Sequence, residues 1–324
     1  MIILPAALAA AVLLAAALRL SVRAPALPPE PAPSGRAETV TVFSAAMPAE
    51  RERPPLRAAP RVRRGGCYNI LLSGLDAAGG GSDTNLLMRF DAAARRIDLV
   101  SLPRDTLLHR DWYSNRLNYA YASGGTQRLR GEVENLLGVP VDYCVTVGLD
   151  GFSAFVDRIG GVTFDVPADM DYDDDAQGLH IHFAKGRQRL NGRQALEVVR
   201  WRRNNNGGGY ADADLGRIAT QQAFLRAAAA QAASLGNLPA LARAFLGCVR
   251  TDLTAGNLVW LGGKALDIGA ENLRFHTLPG DGGGCYRGES VYVLDPEATL
   301  ALVNEALNPY DMPITADELD ILVP

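Results

Sequence analysis

Lysine is almost missing from this chain of 324 residues: Lys185 and Lys264 are the only two, against thirty arginines. The formal net charge is −4, so there is no basic excess to spread over one face, and a general nucleic-acid binder is excluded. Any anion site must therefore be local. The arginine-to-lysine ratio by itself fits a GC-rich coding bias and carries no functional weight. The signatures of several enzyme classes are also missing. No nucleophile elbow and no HExxH occurs, and the glycine-rich GGGSDT lacks the GK[ST] of a phosphate loop, which argues against nucleotide hydrolysis. Cysteine is scarce, with Cys67, Cys144, Cys248 and Cys285 and no CxxC pair, so a thiolate zinc site is not expected. In an exported chain four cysteines can form one or two disulfides. Three complete pairings are open, and the loop-rich character of the later part favours Cys248 with Cys285.

What is present begins with an uncharged apolar run, Ile2 to Leu18, close to the roughly 20 residues that a bilayer-spanning helix needs. We read residues 1–20 as a transmembrane anchor. A cleaved signal peptide is the rival reading, with small residues around Ala24 to Ala26 for the cleavage site. No lysine or arginine precedes the run while Arg19 and Arg23 follow it, so the positive-inside rule gives no support for an outward-facing C-terminus. Residues 21–66, with PALPPEPAP and ERERPPLRAAPRVRR, are too poor in apolar surface to fold and read as a tether. The folded part then starts at Cys67 and runs to 324, its motifs lying within 67–235 and residues 236–324 completing the same domain.

Hydrophobic periodicity orders that domain. CYNILLSGLD is a short apolar run ending in Gly and Asp, as a buried strand entering a loop would. NLLMRF and RIDLVSLP are strands close enough to form a hairpin. RLRGEVENLLG carries Leu129, Val133, Leu136 and Leu137 at helical spacing and stops at Gly138. VDYCVTVGLDGF reads as a strand, FSAFVDRIGG as a helix and VTFDVP as a strand. GRQALEVVRWRR is a helix running toward its arginines, and an alanine-rich helix spans 216–235. After it, FLGCVRTDL and NLRFHTLPG read as strands, DGGGCYRGES as a glycine loop and 296–307 as a closing helix. Such alternation implies an α/β or α+β layered domain. LHIHF puts His180 and His182 on one side of a strand, which is more often a solvated pair than a metal site. DMDYDDD begins like a calcium loop, but Ala176 and His182 stand where its glycine and closing glutamate belong, so an EF-hand is rejected.

Arginines and aspartates recur at the turns that follow apolar strands: Asp76, Asp83, Arg104, Asp105, Arg116, Arg200, Arg202, Asp214 and Arg217. Loops on a rigid sheet are where sites are built. Each guanidinium is a planar fork that matches two phosphate oxygens at once. Arg200 and Arg202 point the same way only if the helix ends near Val199. Carboxylates beside such arginines make sense if Mg²⁺, which takes one or two carboxylates plus phosphate oxygens, shares the site. The set describes a pyrophosphate clamp.

In their order, NILLSGLD, SDT, SLPRD, RLNYAYASGG, GFSAFVDRIGGV, GRQRLNGRQAL, RWRR, DLGR and QQ resemble the LytR-CpsA-Psr family of membrane-anchored enzymes that attach polymers to bacterial cell walls. The resemblance spans about residues 67–235. It implies a single domain with a central mixed sheet flanked by helices, placed outside the cell on a single-pass anchor. The implied activity is an Mg²⁺-dependent phosphotransferase that moves a glycosyl phosphate polymer from a polyprenyl pyrophosphate carrier to peptidoglycan. Matched motif by motif, Asp76 and Asp83 become metal-side carboxylates, with Asp214 a further candidate. Arg104, Arg200, Arg202 and Arg217 become pyrophosphate ligands with Gln221 near them, and Arg116 stands where the family often has lysine. Asp83 or Asp105 would take the acceptor's proton. Gly81 and Thr220 occupy positions where the family commonly has arginine, so two positive charges are lost. A pyrophosphatase acting on the same donor and a non-catalytic lipid-pyrophosphate-binding regulator of the envelope are the alternatives.

Overall fold

The computed structural model describes residues 22–28, 61–75, 80–110, 114–176, 178–210 and 214–324. The apolar run at 1–20 and Asp76 lie outside them. Among the described residues no helix is long and apolar enough to cross a membrane.

The centre is a mixed six-stranded sheet in the order β10-β3-β2-β1-β4-β9. Strand β1 (Cys67–Leu75) is apolar at both parities because both of its faces are covered. Ile70 points into one cluster with Phe90 and Ile97, and Leu71 into the opposite one with Leu87 and Val100. Antiparallel β2 (Ser82–Asp91) and β3 (Arg96–Leu102) follow as the expected hairpin. Strand β4 (Tyr143–Val147) runs parallel to β1, and β10 (Leu273–Thr277) parallel to β3. The two-residue β9 (Arg250–Thr251) edges β4.

Helix α1 (Leu117–Leu137) packs Leu129, Val133 and Leu136 on one face of the sheet, together with Val303 and Leu307. It begins earlier than the apolar spacing suggests and bends at Gly124–Gly125, whose dihedrals are not helical. Gly138 ends it with φ +65, and a Cβ there would stand 2.9 Å from the Glu318 carbonyl oxygen, so only glycine fits. The other face is covered by α6 (Ala255–Ile268) through Leu261 and Ile268. A second core lies alongside, around Val156, Phe164, Ile181, Val198 and Phe224. It gathers α2 (Leu149–Arg158), the ribbons β5 (Val162–Val166) with β8 (Gly186–Leu190) and β6 (Met170–Asp174) with β7 (Leu179–Phe183), then α3 (Gly192–Arg200) and α4 (Asp214–Ser234).

Four expectations need correction. Only Arg250–Thr251 of FLGCVRTDL is strand; Phe245 and Leu246 close α5 (Leu238–Leu246), Gly247–Val249 lead out of it, and the helix is capped by the Asn237 side chain, which accepts from Ala240 N at 3.1 Å. Leu238, Leu241, Ala242 and Phe245 have the i, i+3, i+4, i+7 spacing that a strand would not need. DGGGCYRGES is not a loop but most of a ribbon, β11 (Gly280–Tyr286) against β12 (Glu289–Leu294). Arg287 and Gly288 make its two-residue turn with φ +50 and +83, the handedness that matches strand twist. After the ribbon comes α7 (Pro296–Leu302). The stretch read as a free tether is bonded to the domain at both of its described ends: Pro25 is buried, and Arg61 pairs with Glu318 and Arg63 with Asp142. Finally, the Cys248–Cys285 bridge is not formed, and all four thiols are free. Cys248 is buried and accepts from Arg158 Nη1 at 2.7 Å, whereas Cys285 is exposed on β11. Burial pushes the thiols of Cys67 and Cys144 up to about 11 and about 12.

Candidate functional site

The site is at the end of the sheet where the parallel strands β1, β3 and β4 finish, the usual place for a ligand crevice in an open α/β sheet. Register explains how Asp83 gets there. Gly74 pairs with Thr84 and Leu75 with Ser82, so Asp83 is the extra residue of a β-bulge and is turned out of the ladder. Arg104 follows β3 by two residues, and its Nη1 stands 2.5 Å from Asp83 Oδ1. Its Nε is 3.5 Å from Asp105 Oδ2. The backbone after it is fixed by Thr106 N to Pro103 O at 3.0 Å and Asn118 N to Arg104 O at 2.9 Å.

Arginines of the RWRR segment reach the same place by alternation. Helix α3 ends at Arg200, and Trp201 is already extended with φ −62 and ψ 141, within one residue of the expected break. Extended backbone sends neighbouring side chains to opposite sides. Trp201 packs into the second core, edge-on to Tyr210 with ring centroids 4.7 Å apart, and also borders the cavity that Arg200, Arg202 and Arg203 line. The following NNNGGG loop is pinned: Arg203 bridges to Gly209, Asn204 Oδ1 accepts from Trp201 Nε1 at 3.0 Å and from Asp171 N at 2.7 Å, and Asn205 Oδ1 accepts from Asp173 N at 2.6 Å. Asn204 and Asn205 accept from the N–H donors of an exposed strand edge, and Asn206 accepts from Gly208 N at 3.1 Å within the loop, which is why this polar loop is ordered.

The cavity has a volume of about 1420 Å³, above the roughly 300–1,000 Å³ usual for small-molecule sites. Its lining brings together Asp83, Arg104, Arg200, Arg202, Arg203, Arg217 and Gln221 with many apolar side chains, Leu72, Val145, Phe152, Phe155, Phe224 and Phe245 among them. Arg217, on the first turn of α4, is 6% exposed, so its charge is held in a dry setting where an anion's attraction is large. Gln221 one turn on accepts from Thr84 Oγ1 at 3.4 Å and donates to Val199 O at 3.2 Å. Gln222 donates to Ser101 Oγ at 2.8 Å, which ties α4 to the sheet.

Arg116 and Asp105 stay outside the cavity lining. Arg116 Nη1 is 3.5 Å from Asp105 Oδ1 and its Nε 3.6 Å from Glu289 Oε2, so the two form a supporting row behind Arg104. Asp76 and the side chain of Asp214 lie outside the described residues. Sequence reasoning missed Arg203 and Tyr210, which line the cavity, and Glu289, which reaches Arg116 from the glycine-rich ribbon. For Arg203 the doubled arginine of RWRR was a usable signal; for Glu289 there was none. Thr220 is 5% exposed and its hydroxyl lies 2.5 Å from that of Tyr210. Burial pushes the Tyr210 phenol up, opposed by the Thr220 hydrogen bond.

Among the described residues no group of three or more His, Cys, Asp or Glu could hold a metal ion. His180 and His182 instead pair across the ribbon with Asp173 and Asp171 at 2.6 and 2.8 Å. Asp83, an oxygen donor on the cavity wall, still fits the way Mg²⁺ binds with phosphates, where the protein supplies one or two carboxylates.

Arginines that share a large, mainly apolar cavity define, within a mixed α/β fold, a site of the kind that suits a phosphorylated amphiphile. The chain belongs to the LytR_cpsA_psr family, whose model matches residues 39–308. It is 30% identical over 267 residues to a Bacillus anthracis protein named polyisoprenyl-teichoic acid--peptidoglycan teichoic acid transferase TagU, covering 80% of this chain and 84% of that one. The crystal structure of Bacillus subtilis TagV superposes with a TM-score of 0.62 at 25% identity, covering 73% of this chain and 94% of that one. A LytR-Csp2A-Psr enzyme from Actinomyces oris shares the fold, with a TM-score of 0.62 at 23% identity, covering 77% of this chain and 93% of that one.

Proposed function

We propose that this protein transfers a phosphorylated glycopolymer from a polyprenyl-pyrophosphate carrier to peptidoglycan, releasing polyprenyl phosphate. One observation carries the reading: Arg104, Arg200, Arg202 and Arg217 all line one cavity of about 1420 Å³ that is otherwise rich in apolar side chains. A soluble nucleotide would need the charges but not the cavity, and a fatty ligand the cavity but not the charges. The names of the TagU and TagV relatives, which pair a polyisoprenyl-linked teichoic acid with peptidoglycan, support the same donor and acceptor.

In the reaction a sugar hydroxyl of the acceptor attacks the phosphorus next to the glycan, and the bond from that phosphorus to the bridging oxygen breaks. Negative charge then collects on the departing lipid phosphate. Arg200, Arg202 and Arg217 are the groups that would neutralise it, since phosphoryl transfer asks a protein mainly for alignment and charge. Between the two candidate bases, Asp83 borders the cavity and Asp105 does not, so the acceptor's proton is assigned to Asp83. Asp105 then holds Arg104 and Arg116 in line. Mg²⁺ bound beside Asp83 would supply further neutralisation of the diphosphate. Membrane anchoring of an outward-facing domain suits a donor that never leaves the lipid, because confinement raises its effective concentration.

The test incubates purified protein with a short-chain prenyl pyrophosphoryl sugar carrying a labelled glycan, Mg²⁺ and peptidoglycan fragments. Label should pass to the fragments, and Arg202→Ala should abolish this while the protein stays folded. Free glycan phosphate with no labelled fragment would identify a pyrophosphatase instead, and an unchanged donor a binding protein.

A further inference from the structure

We propose that residues 22–28 form a strap that seats the domain on the bilayer by the β4–β9 edge of its sheet, where the apolar lining of the cavity also ends. The proposal rests on the anchor reading of Ile2–Leu18 and adds an orientation to it. Three backbone carbonyls of the strap are held by side chains from three elements. Tyr68 on β1 donates to Pro25 O at 3.0 Å, Tyr143 on β4 donates to Ala26 O, and Asn257 Nδ2 on α6 donates to Arg23 O at 3.2 Å. Tyr68 is 4% exposed and stands edge-on to Trp260 at 5.9 Å, so the strap lies against a built aromatic corner rather than on open surface.

Chain reach makes this docking consequential. An extended chain spans at most about 3.5 Å per residue, so Leu18 and Arg23 lie within about 18 Å of each other. Without the strap, the 43 residues from Leu18 to Arg61, the next attachment to the domain, would allow about 150 Å, and the domain would take any orientation. With it, an apolar run that ends in the bilayer at Leu18 keeps the β4–β9 edge at the lipid surface. The same edge leads into the site. Tyr143, Val145 and Val147 share one face of β4: the first holds the strap, and the other two line the cavity together with Val249 beside β9. A prenyl tail leaving the bilayer there has a short apolar path, and its diphosphate meets the arginines at the far side.

Energy transfer from the protein to a headgroup-labelled lipid tests the orientation in full-length protein reconstituted into phosphatidylglycerol–phosphatidylcholine vesicles. One donor dye goes on Cys285, which is exposed on the ribbon beyond the opposite side of the sheet. The other goes on Arg250→Cys in a Cys285→Ser background, on β9. For a domain of this size, transfer from position 250 should exceed that from 285 by about twofold. The double variant Tyr68→Phe/Tyr143→Phe, which keeps the rings and removes two strap bonds, should bring the ratio to about one. Equal transfer from both positions in the strap-intact protein overturns the proposal, and so does protein that does not sediment with vesicles. Turnover with detergent-dispersed donor is measured in parallel. It reports on the transferase reading alone and should be unchanged in the double variant; its loss there would mean that the tyrosines serve the fold, and would also overturn the strap.

Discussion

Replacing Arg104 by glutamine removes one charge from the most constrained part of the site while keeping most of the side chain's length. In the structure Arg104 bridges Asp83 at 2.5 Å and Asp105 at 3.5 Å, and it is 24% exposed, so its role in holding the core together is small. Losing a preorganised charged contact to a transition state typically costs about 3–4 kcal/mol, or a factor of 10² to 10³ in rate. Two effects act in the same direction here. The diphosphate loses a ligand, and Asp83 loses the partner that orients it for the acceptor's proton. The expected result is a fall of about 10² to 10³ in kcat/KM, most of it in kcat, because both effects are largest when charge develops. Arg116→Gln is the internal comparison. Arg116 lies behind Arg104 and reaches the site only through Asp105, so its loss should cost about two- to fivefold, in the range of a partly exposed ion pair to a neighbouring group. The assay is initial rate of labelled glycan transfer against donor concentration, with thermal unfolding as a control for folding. If Arg104→Gln keeps activity within about threefold of wild type, or if Arg116→Gln is the more damaging of the two, the assignment of the charged lining is wrong.

Ala228→Phe, which adds a ring to the apolar wall, should raise KM for long prenyl donors while leaving a two- or three-unit prenyl donor unaffected; equal effects on both would detach the cavity from the lipid tail. Trp201→Ala should destabilise the fold by about 3–5 kcal/mol in urea titration, since it empties a 2%-exposed indole site in the second core, and a loss under 1 kcal/mol would contradict that packing. The exposed β6–β7 ribbon should depend on pH at both limits. The Asp171 hydrogen bond raises the His182 pKa, so its contribution is complete below the ordinary histidine value near 6.5 and is lost as pH rises through the higher folded value. The His180 hydrogen bond lowers the Asp173 pKa, so its contribution is present above about 3.9 and is lost as pH falls through the lower folded value. Amide hydrogen exchange in the ribbon, corrected for intrinsic rates, should therefore be slowest between those limits, and His182→Gln should flatten the upper one.

Elements built on one buried face or on a stop signal were legible in the chain. The β2–β3 hairpin, the end of α1 at Gly138 and the break after Arg200 follow from apolar period, from a glycine and from alternation, all of them local properties. The charged lining left a local mark only in part: Arg104 and Arg202 follow an apolar strand and helix just past their ends, whereas Arg200 closes α3 and Arg217 lies in the first turn of α4. What escaped depends on partners far along the chain. DGGGCY looks like a loop because glycine has no side chain to pack, and only the pairing with ESVYVL makes it a strand. The Pro-rich stretch looks unable to fold because it has little of its own to bury, yet Tyr68, Tyr143 and Asn257 supply donors that its carbonyls accept. Glu289 has no local mark at all; it reaches Arg116 because the ribbon returns beside Thr106. The Asp83 bulge is a register property, invisible until β1 and β2 are aligned.

Tyr210 closes over Thr220 with its ring against Trp201. A long cationic side chain introduced at residue 220 would meet that ring before it met the ligand. Placing a positive charge there is thus a two-substitution path, in which Tyr210 must also shrink to make room. A hydroxyl at this position is held in place by the geometry around it, and a screen of single changes for higher activity would pass residue 220 by.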